Sequence, residues 1–333
     1  MTRRSTLLLP ILLVFLLLAI AVGFEFGSFI NQPVTPAAST MVIVSPGLPF
    51  TEVARRLQDA GVVRSTSGFK LLAWLRGDAR RIKAGPYDFG GPATPGRVLD
   101  RLVAGDVRRQ RLTIPEGFSL REIAARIEAE GIGRAETFLQ LARDPGFIAS
   151  LGIASPSLEG YLYPDTYLFD SGTPEDRIIR AMFRQFENRL APDLVEGAAR
   201  LGLDPHQLVT LASIVQKEAG TRAEMPVIAA VFHNRLRRNM PLQADPTVIY
   251  GIANFNGNIT RKDLRTPTPY NTYRIAGLPP GPIASPGADA LRATAFPAEA
   301  DYLFFVARGD GTHVFSKTLR EHNRAVQHYQ LNR

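Results

Sequence analysis

The 333-residue chain contains no cysteine, so a disulfide framework and thiolate metal sites are both excluded. That absence is compatible with an oxidising compartment. Histidine is scarce. The five are His206, His233, His313, His322 and His328, and none shows paired ligand spacing on an expected helix. There is no phosphate-binding loop and no dinucleotide fingerprint. Zinc spacing, a ribonucleoprotein-type aromatic motif and a dense lysine run are all missing, so nothing in the sequence argues for nucleic acid. The formal charge of +8 is open to an anionic membrane surface or an acidic polymer. Most of it, however, is Arg scattered along expected helices, as on a solvated face.

What is present suits about two domains with a core in each. Residues 7–24 carry no charge, close to the ~20 residues a helix needs to cross a bilayer. A cleaved signal peptide is the rival, with Ala19-Ile20-Ala21 as its cleavage site, but signal cores run only ~7–15 residues. The length favours an uncleaved anchor. Arg3 and Arg4 should then stay cytoplasmic and everything after Phe24 should lie outside. Residues 31–40, rich in Pro, Ala, Ser and Thr, read as a tether.

A small α+β unit follows, over residues 41–106. It reads as a strand at 41–44, a turn at Ser45-Pro46-Gly47, a helix over 50–60 capped by Thr51, a helix over 67–74, a strand near 84–89, and a helix over 94–103 capped by Thr94 with Pro95 first. The pattern restarts at Arg111: strand, Pro115-Glu116-Gly117, then a helix over 120–130. VIVSPGLPFTEVARRLQDAGV and LTIPEGFSLREIAARIEAEGI match in spacing and share a Phe before the helix, which marks an internal repeat. Helices are expected at 135–144 and 175–189. Between them LEGYLYPDTY packs three tyrosines and two acids into a turn-rich stretch. It can be a structural wedge or a wall for sugar faces, and large aromatics mostly bury.

Asp204-Pro205 is a good helix start and Gly220 a plausible stop. Between them Leu208, Leu211, Ala212 and Val215 recur at helical spacing. Glu218 follows Val215 by three and Leu211 by seven, so it continues the apolar stripe, while Gln216 and Lys217 point elsewhere. A carboxyl on that stripe is poorly solvated as an anion, so its pKa should rise and fit it as a general acid. The plainer reading makes Glu218 a last-turn surface charge. A helix over 225–238 comes next. Then LQADPT, VIYG and TPYNTY lead to GLPPGPI, a loop-rich stretch of the kind that is usually functional. Its amide, hydroxyl and aromatic groups suit a neutral, hydroxyl-rich ligand. Residues 302–307 read as a strand, Gly309-Asp310-Gly311 as a hairpin turn to His313-Val314-Phe315, and 318–329 as a closing helix.

Taken together, IVQKEAG, LQADPTVIYG, TPYNTYRIAGLPPGPIASPG, FVARGDGTHVFSKTLREHN and LEGYLYPDTY resemble the endolytic murein transglycosylases, the MltG or YceG-like proteins. The likeness spans nearly the whole chain, including the N-terminal anchor. It implies an α+β protein in four parts: a cytoplasmic tip and transmembrane anchor (1–30), a linker (31–40), a LysM-like module (41–106) and a mixed α+β catalytic domain with a lysozyme-like catalytic helix (107–333). It implies a single-pass protein of the bacterial inner membrane, N-terminus cytoplasmic and catalytic domain periplasmic. It also implies a reaction: cleavage of nascent peptidoglycan between N-acetylmuramic acid and N-acetylglucosamine, leaving a 1,6-anhydromuramic end. The family's catalytic Glu falls on Glu218. Gln243, Asp245, Tyr270, Asn271 and Tyr273 are implied to line the groove, although Asp245 could instead be a cap or turn residue before Pro246. The partners implied are glycan strands, the inner membrane and peptidoglycan synthases. Gln216 stands where relatives often carry Glu, and Ala219 where related enzymes often carry a hydroxyl.

One acid used twice suffices for such a reaction: it protonates the departing glycosidic oxygen, then takes a proton from the muramic 6-hydroxyl. No metal or cofactor is called for. Two rivals remain, a muramidase using Asp245 as a second carboxylate and a non-catalytic glycan-binding scaffold.

Overall fold

The computed structural model of the protein describes residues 5–36, 40–107, 109–253 and 255–331. Arg3, Arg4 and part of the expected tether (37–39) lie outside them. The chain divides into two compact units, one from Met1–Gln110 with Asp170–Gly172, the other from Arg111–Phe169 and Thr173–Arg333. The architecture is mixed α+β, with only two-stranded sheets among the described residues.

The first unit begins with α1 (Ser5–Asn31), whose span Leu13–Asn31 is long and apolar enough to cross a membrane. Residues 32–36 do not swing free, because Val34 and Ala93 exchange two backbone hydrogen bonds of 2.9 and 3.0 Å. Next come β1 (Thr40–Val44), α2 (Phe50–Asp59), α3 (Thr66–Leu75), β2 (Gly85–Phe89) and α4 (Pro95–Ala104). β1 and β2 pair antiparallel, with Val42 opposite Tyr87. Val42 and Val44 alternate inward, as a half-buried strand requires, onto Leu57, Phe69, Leu99 and Leu102. Thr94 caps α4, with Pro95 leading and Gly105 closing in the left-handed region (φ 73°), so that end of the reading holds. Thr51 does not cap α2. The helix starts at Phe50, as expected, behind Pro49 and with no side-chain cap.

The boundary falls within β3 (Arg109–Thr113), and the second unit continues with α5 (Leu120–Ala129), α6 (Ala135–Leu141) and α7 (Pro145–Ser150). The repeat is visible here, in the register in which the two strings align end to end. Pro49 and Ser119 are the equivalent N-caps. Gly47 and Gly117 are the equivalent left-handed turn residues (φ 77° and 78°), and Gly61 and Gly131 the equivalent left-handed stops. Val53, Ala54 and Leu57 of α2 are buried, as are Ile123, Ala124 and Ile127 of α5. In this register Phe50 matches Leu120, so the two Phe residues do not occupy one position.

The chain continues through β4 (Thr166–Asp170), α8 (Glu175–Arg189), α9 (Pro192–Arg200), α10 (Pro205–Glu218), α11 (Met225–Arg237), α12 (Asp245–Tyr250), α13 (Arg261–Arg265) and α14 (Ala288–Ala295). The hairpin β5 (Phe304–Ala307) and β6 (His313–Ser316) follows, and α15 (Leu319–Val326) runs into a final π-helical turn. β3 pairs with β4. α10 is the hub of this unit, packed against α9, α11, α12 and α14. Every residue from Leu208 to Val215 is buried, so α10 is buried all round rather than along one stripe, as a central helix is.

Candidate active site

Local chemistry fixes where α10 starts. The Asp204 carboxylate accepts from the Gln207 N–H (2.8 Å), and the Gln207 side chain accepts from the Asp204 N–H (3.0 Å), a reciprocal capping box. Polar residues inside the helix are spent locally. Thr210 Oγ1 donates to the His206 carbonyl and Ser213 Oγ to the Thr210 carbonyl, while Ser213 Oγ accepts from Ile283 N. Gln216 accepts from Gly287 N, and Lys217 donates to the Gly117 carbonyl. Both are thereby tied to neighbouring loops, and neither lines the cavity that holds Glu218.

Glu218 is the last residue of α10, and Ala219 behind it is extended. Gly220 is needed for space rather than for a left-handed turn. A Cβ there would lie 2.1 Å from the Gly311 carbonyl oxygen in the β5–β6 turn. The Glu218 carboxyl opens into a cavity of about 430 Å³. Arg235, Gln243, Asp245 and Tyr273 line it on one side, and Phe305, Val306 and His313 of the hairpin line it on the other. Burial pushes the Glu218 pKa up, the negative charge of Asp245 pushes it further, and Arg235 opposes both, leaving it at about 8. Its place at a helix C-terminus, the negative end of the dipole, also disfavours the anion.

Arg235 is almost fully buried on α11. Its Nε donates to the Leu303 carbonyl (2.7 Å). Its Nη1 donates to the Pro241 and Leu242 carbonyls (3.1 and 2.9 Å) and to Gln243 Oε1 (3.2 Å), and its guanidinium lies 5.2 Å from the Phe304 ring centre. These bonds hold the 241–243 turn, where Gln243 sits at φ 53°, a conformation that costs a non-glycine residue energy and persists only when its surroundings enforce it. Gln243 N donates to the Thr272 carbonyl and Ala244 N to Thr272 Oγ1. This stitching brings Tyr273 to Asp245, and the phenol donates to the carboxylate across 2.6 Å. Burial and that carboxylate push the Tyr273 pKa upward, so it remains a donor. Asp245 is the first residue of α12 and makes no capping bond; Ala244 occupies the cap position.

Of the residues named from the sequence, Glu218, Gln243, Asp245 and Tyr273 share this cavity. Asn271 and Tyr270 are not among its lining residues. Asn271 is fully buried. Its amide donates to the Asp263, Leu264 and Thr266 carbonyls, tying off the end of α13, and its oxygen accepts from Tyr273 N. It sets the loop that carries Tyr273. Tyr270 packs on Tyr250 at 4.8 Å, beside a second buried acid, Glu159. That acid accepts from Leu120 N (2.9 Å) and the Tyr250 phenol (3.0 Å). Burial raises its pKa to about 7, against both hydrogen bonds. Tyr161 and Tyr163 are buried in the core, so their part of LEGYLYPDTY is structural.

Arg235 and His313, both in the cavity lining, were not singled out from the sequence. Arg235 follows Val231 by four and Ile228 by seven, an inward helical spacing comparable to the three and seven that singled out Glu218. His313 is held by Glu224, whose carboxylate takes the His313 N–H at 2.8 Å and Nδ1 at 3.0 Å. These partners lie 89 residues apart, and no local pattern announces them. Among the described residues, no group of three or more His, Asp or Glu is placed to hold a metal ion.

Comparison with known proteins adds to this geometry. A model of the YceG-like family matches residues 42–328. The endolytic murein transglycosylase of Bacillus subtilis (strain 168) is 33% identical over 330 residues, covering 94% of this chain and 91% of the relative. The endolytic murein transglycosylase of Streptococcus pneumoniae serotype 2 is 29% identical over 351 residues, and the chain spans 63% of that longer protein's length. The crystal structure of a YceG-like protein from Listeria monocytogenes has a TM-score of 0.60 at 33% identity, covering 85% of this chain and 97% of the other.

Proposed function

The chain belongs to the YceG-like family, and on that premise we propose that it is a lytic transglycosylase that cuts peptidoglycan glycan strands internally, with Glu218 as its acid and base. One observation carries the reading. Glu218 faces an open, largely polar cavity, and burial together with the Asp245 charge holds its pKa near 8, so it is protonated at neutral pH. A protonated carboxyl in a groove can give its proton to a glycosidic oxygen as the bond to the anomeric carbon breaks. The resulting carboxylate then accepts the proton of the muramic 6-hydroxyl as that oxygen closes on the anomeric carbon. The product is a 1,6-anhydromuramic end, and Glu218 is protonated again.

The neighbours support the cycle. Asp245, oriented by Tyr273, supplies a nearby negative charge that favours the positively charged transition state of glycosidic cleavage. Arg235 faces Glu218 in the state that follows proton donation and limits how far its pKa rises. Gln243 and the Tyr273 ring offer amide and aromatic surface to the sugar.

The presence of Asp245 also favours a second reading, a muramidase in which Asp245 directly assists water or forms a covalent intermediate. Its product would carry a reducing muramic end. Mass analysis of purified peptidoglycan after digestion separates the two, since the anhydro product is lighter by one water.

The same premise extends to the rest of the chain. α1 is proposed as a single-pass anchor in the inner membrane with a cytoplasmic N-terminus and the remainder periplasmic. The α+β unit after it is proposed as a LysM-like glycan-binding module, and α10 as a lysozyme-like catalytic helix. Peptidoglycan synthases that supply nascent strands are the proposed partners.

A further inference from the structure

The first unit carries an apolar face with no protein against it. Leu71, Trp74 and Leu75 are spaced i, i+3, i+4 along α3, so they share one side of the helix. They are 41%, 73% and 58% exposed, while Phe69, Leu72 and Ala73 on the other side are buried in the unit's core. A contiguous exposed patch of this kind, with an aromatic at its centre, marks an interaction surface.

The packing of α3 on α1 identifies what covers it. Arg64, just before α3, donates to Gln32 at the end of α1. One turn further along α3, Gly68 lies against the Phe29 ring, which would sit 3.1 Å from a Cβ there. Rising numbers on α3 therefore meet falling numbers on α1, and the helices run antiparallel. Leu71 lines the same cleft as Ala21, Val22 and Glu25. Glu25 is the first charge after the uncharged run 7–24, so it marks where α1 leaves the hydrocarbon. Trp74 and Leu75 lie three and four residues beyond Leu71, about 5–6 Å further back along α1 at 1.5 Å per residue. That places them at the boundary between headgroups and acyl chains, to which a Trp with an apolar body and a polar N–H is suited.

We infer that the C-terminal end of α3 is a membrane-docking tip, with Leu71, Trp74 and Leu75 set into the bilayer surface beside the point where α1 emerges. The occupant is lipid, because the face is continuous with the membrane-facing side of α1 and points toward the bilayer. This rests on α1 spanning the membrane. Docking pins the first unit at two places, α1 and α3, so it does not swivel about a single helix.

Trp74 is the only Trp in the chain and reports on this directly. The full chain is reconstituted in phosphatidylethanolamine–phosphatidylglycerol vesicles and first tested for co-flotation after an alkaline wash. Trp74 emission is then recorded with aqueous iodide and with phospholipid brominated near the top of the acyl chain. Docking predicts blue-shifted emission, quenching by the brominated lipid, several-fold weaker quenching by iodide than in free tryptophan, and no change on diluting protein in lipid. A Leu71→Glu, Leu75→Glu double variant should still float yet lose the bromolipid quenching. A chain that floats with Trp74 open to iodide and untouched by brominated lipid overturns the docking and leaves the anchor standing. Shielding without bromolipid quenching overturns it too, in favour of a second copy on this face. Failure to float overturns both.

Discussion

The phenol of Tyr273 donates to the carboxylate of Asp245 across 2.6 Å, although 28 residues separate them. The contact exists because Thr272 is clamped to Gln243 and Ala244, and because Asn271 locks the loop before it. It joins the two halves of the loop-rich stretch at the mouth of the cavity. Tyr273→Phe should leave the fold intact. A hydrogen bond to a charged group is worth about 1.5–3 kcal/mol, so turnover of purified glycan strands should fall roughly ten- to a hundredfold. The melting temperature should move little. An unchanged rate would remove Asp245 orientation from the account.

Asp245 raises the Glu218 pKa, so the pH profile should follow its charge. Wild-type activity should fall as pH rises through about 8, where Glu218 loses its proton. In Asp245→Asn the added negative charge is gone, the Glu218 pKa drops, and this alkaline limb should move to lower pH. The rate at the optimum should fall by less than in Glu218→Gln. A limb that stays in place, measured as kcat against pH, would show that the two carboxyls do not sense each other.

Stability should carry the same signature with a defined sign. Glu218 holds its proton to about pH 8 in the folded protein against 4.5 for the ordinary group. The folded state therefore binds the proton more tightly. That contribution is fully present below about pH 4.5 and is lost as pH rises to about 8. Glu218→Gln has no proton to lose. Its melting temperature relative to wild type should rise between pH 5 and pH 9. A constant difference across that range would mean the carboxyl is solvated like an ordinary one.

Gly220 should tolerate no side chain. A Cβ 2.1 Å from the Gly311 carbonyl oxygen must push the β5–β6 turn away from the end of α10. Overpacking of this sort costs about 1–3 kcal/mol, and here the hairpin that moves carries His313 into the cavity wall. Gly220→Ala should lower the melting temperature and activity together, whereas Gly311→Ala, which meets nothing within 4 Å but sits at φ 86°, should show backbone strain without that clash.

What the sequence made legible was local. The start of α10 could be read because Asp204 and Pro205 signal it in adjacent positions. The β5–β6 hairpin could be read because Gly309-Asp310-Gly311 signals its turn locally. Glu218 stood out by its spacing from Leu211 and Val215, and Arg235 carried a comparable signal on α11, masked by the general expectation that Arg lies on a solvated face. α9 and α14 were missed: Pro192 opens the first without a side-chain cap, and Gly287 caps the second with none to offer. α12 and α13 were taken for loop because each is only five or six residues long. The division of labour within TPYNTY was beyond sequence reasoning. Tyr273 reaches the cavity, Asn271 is buried one turn away from it, and Tyr270 packs toward Glu159. Only the path of the backbone separates three such similar groups.

The central claim is that Glu218 alone donates and recovers the proton, with no water entering the product. The direct measurement is mass analysis of the chain ends released from purified peptidoglycan by wild type and by Glu218→Gln. The substitution keeps shape and hydrogen-bonding reach but cannot exchange the proton. Wild type should release 1,6-anhydromuramic ends, and the variant should lose activity by at least the ~10²–10⁴-fold typical of removing acid–base catalysis while still binding glycan. Reducing muramic ends from the wild type, or anhydro ends still formed at a comparable rate by the variant, would contradict the account.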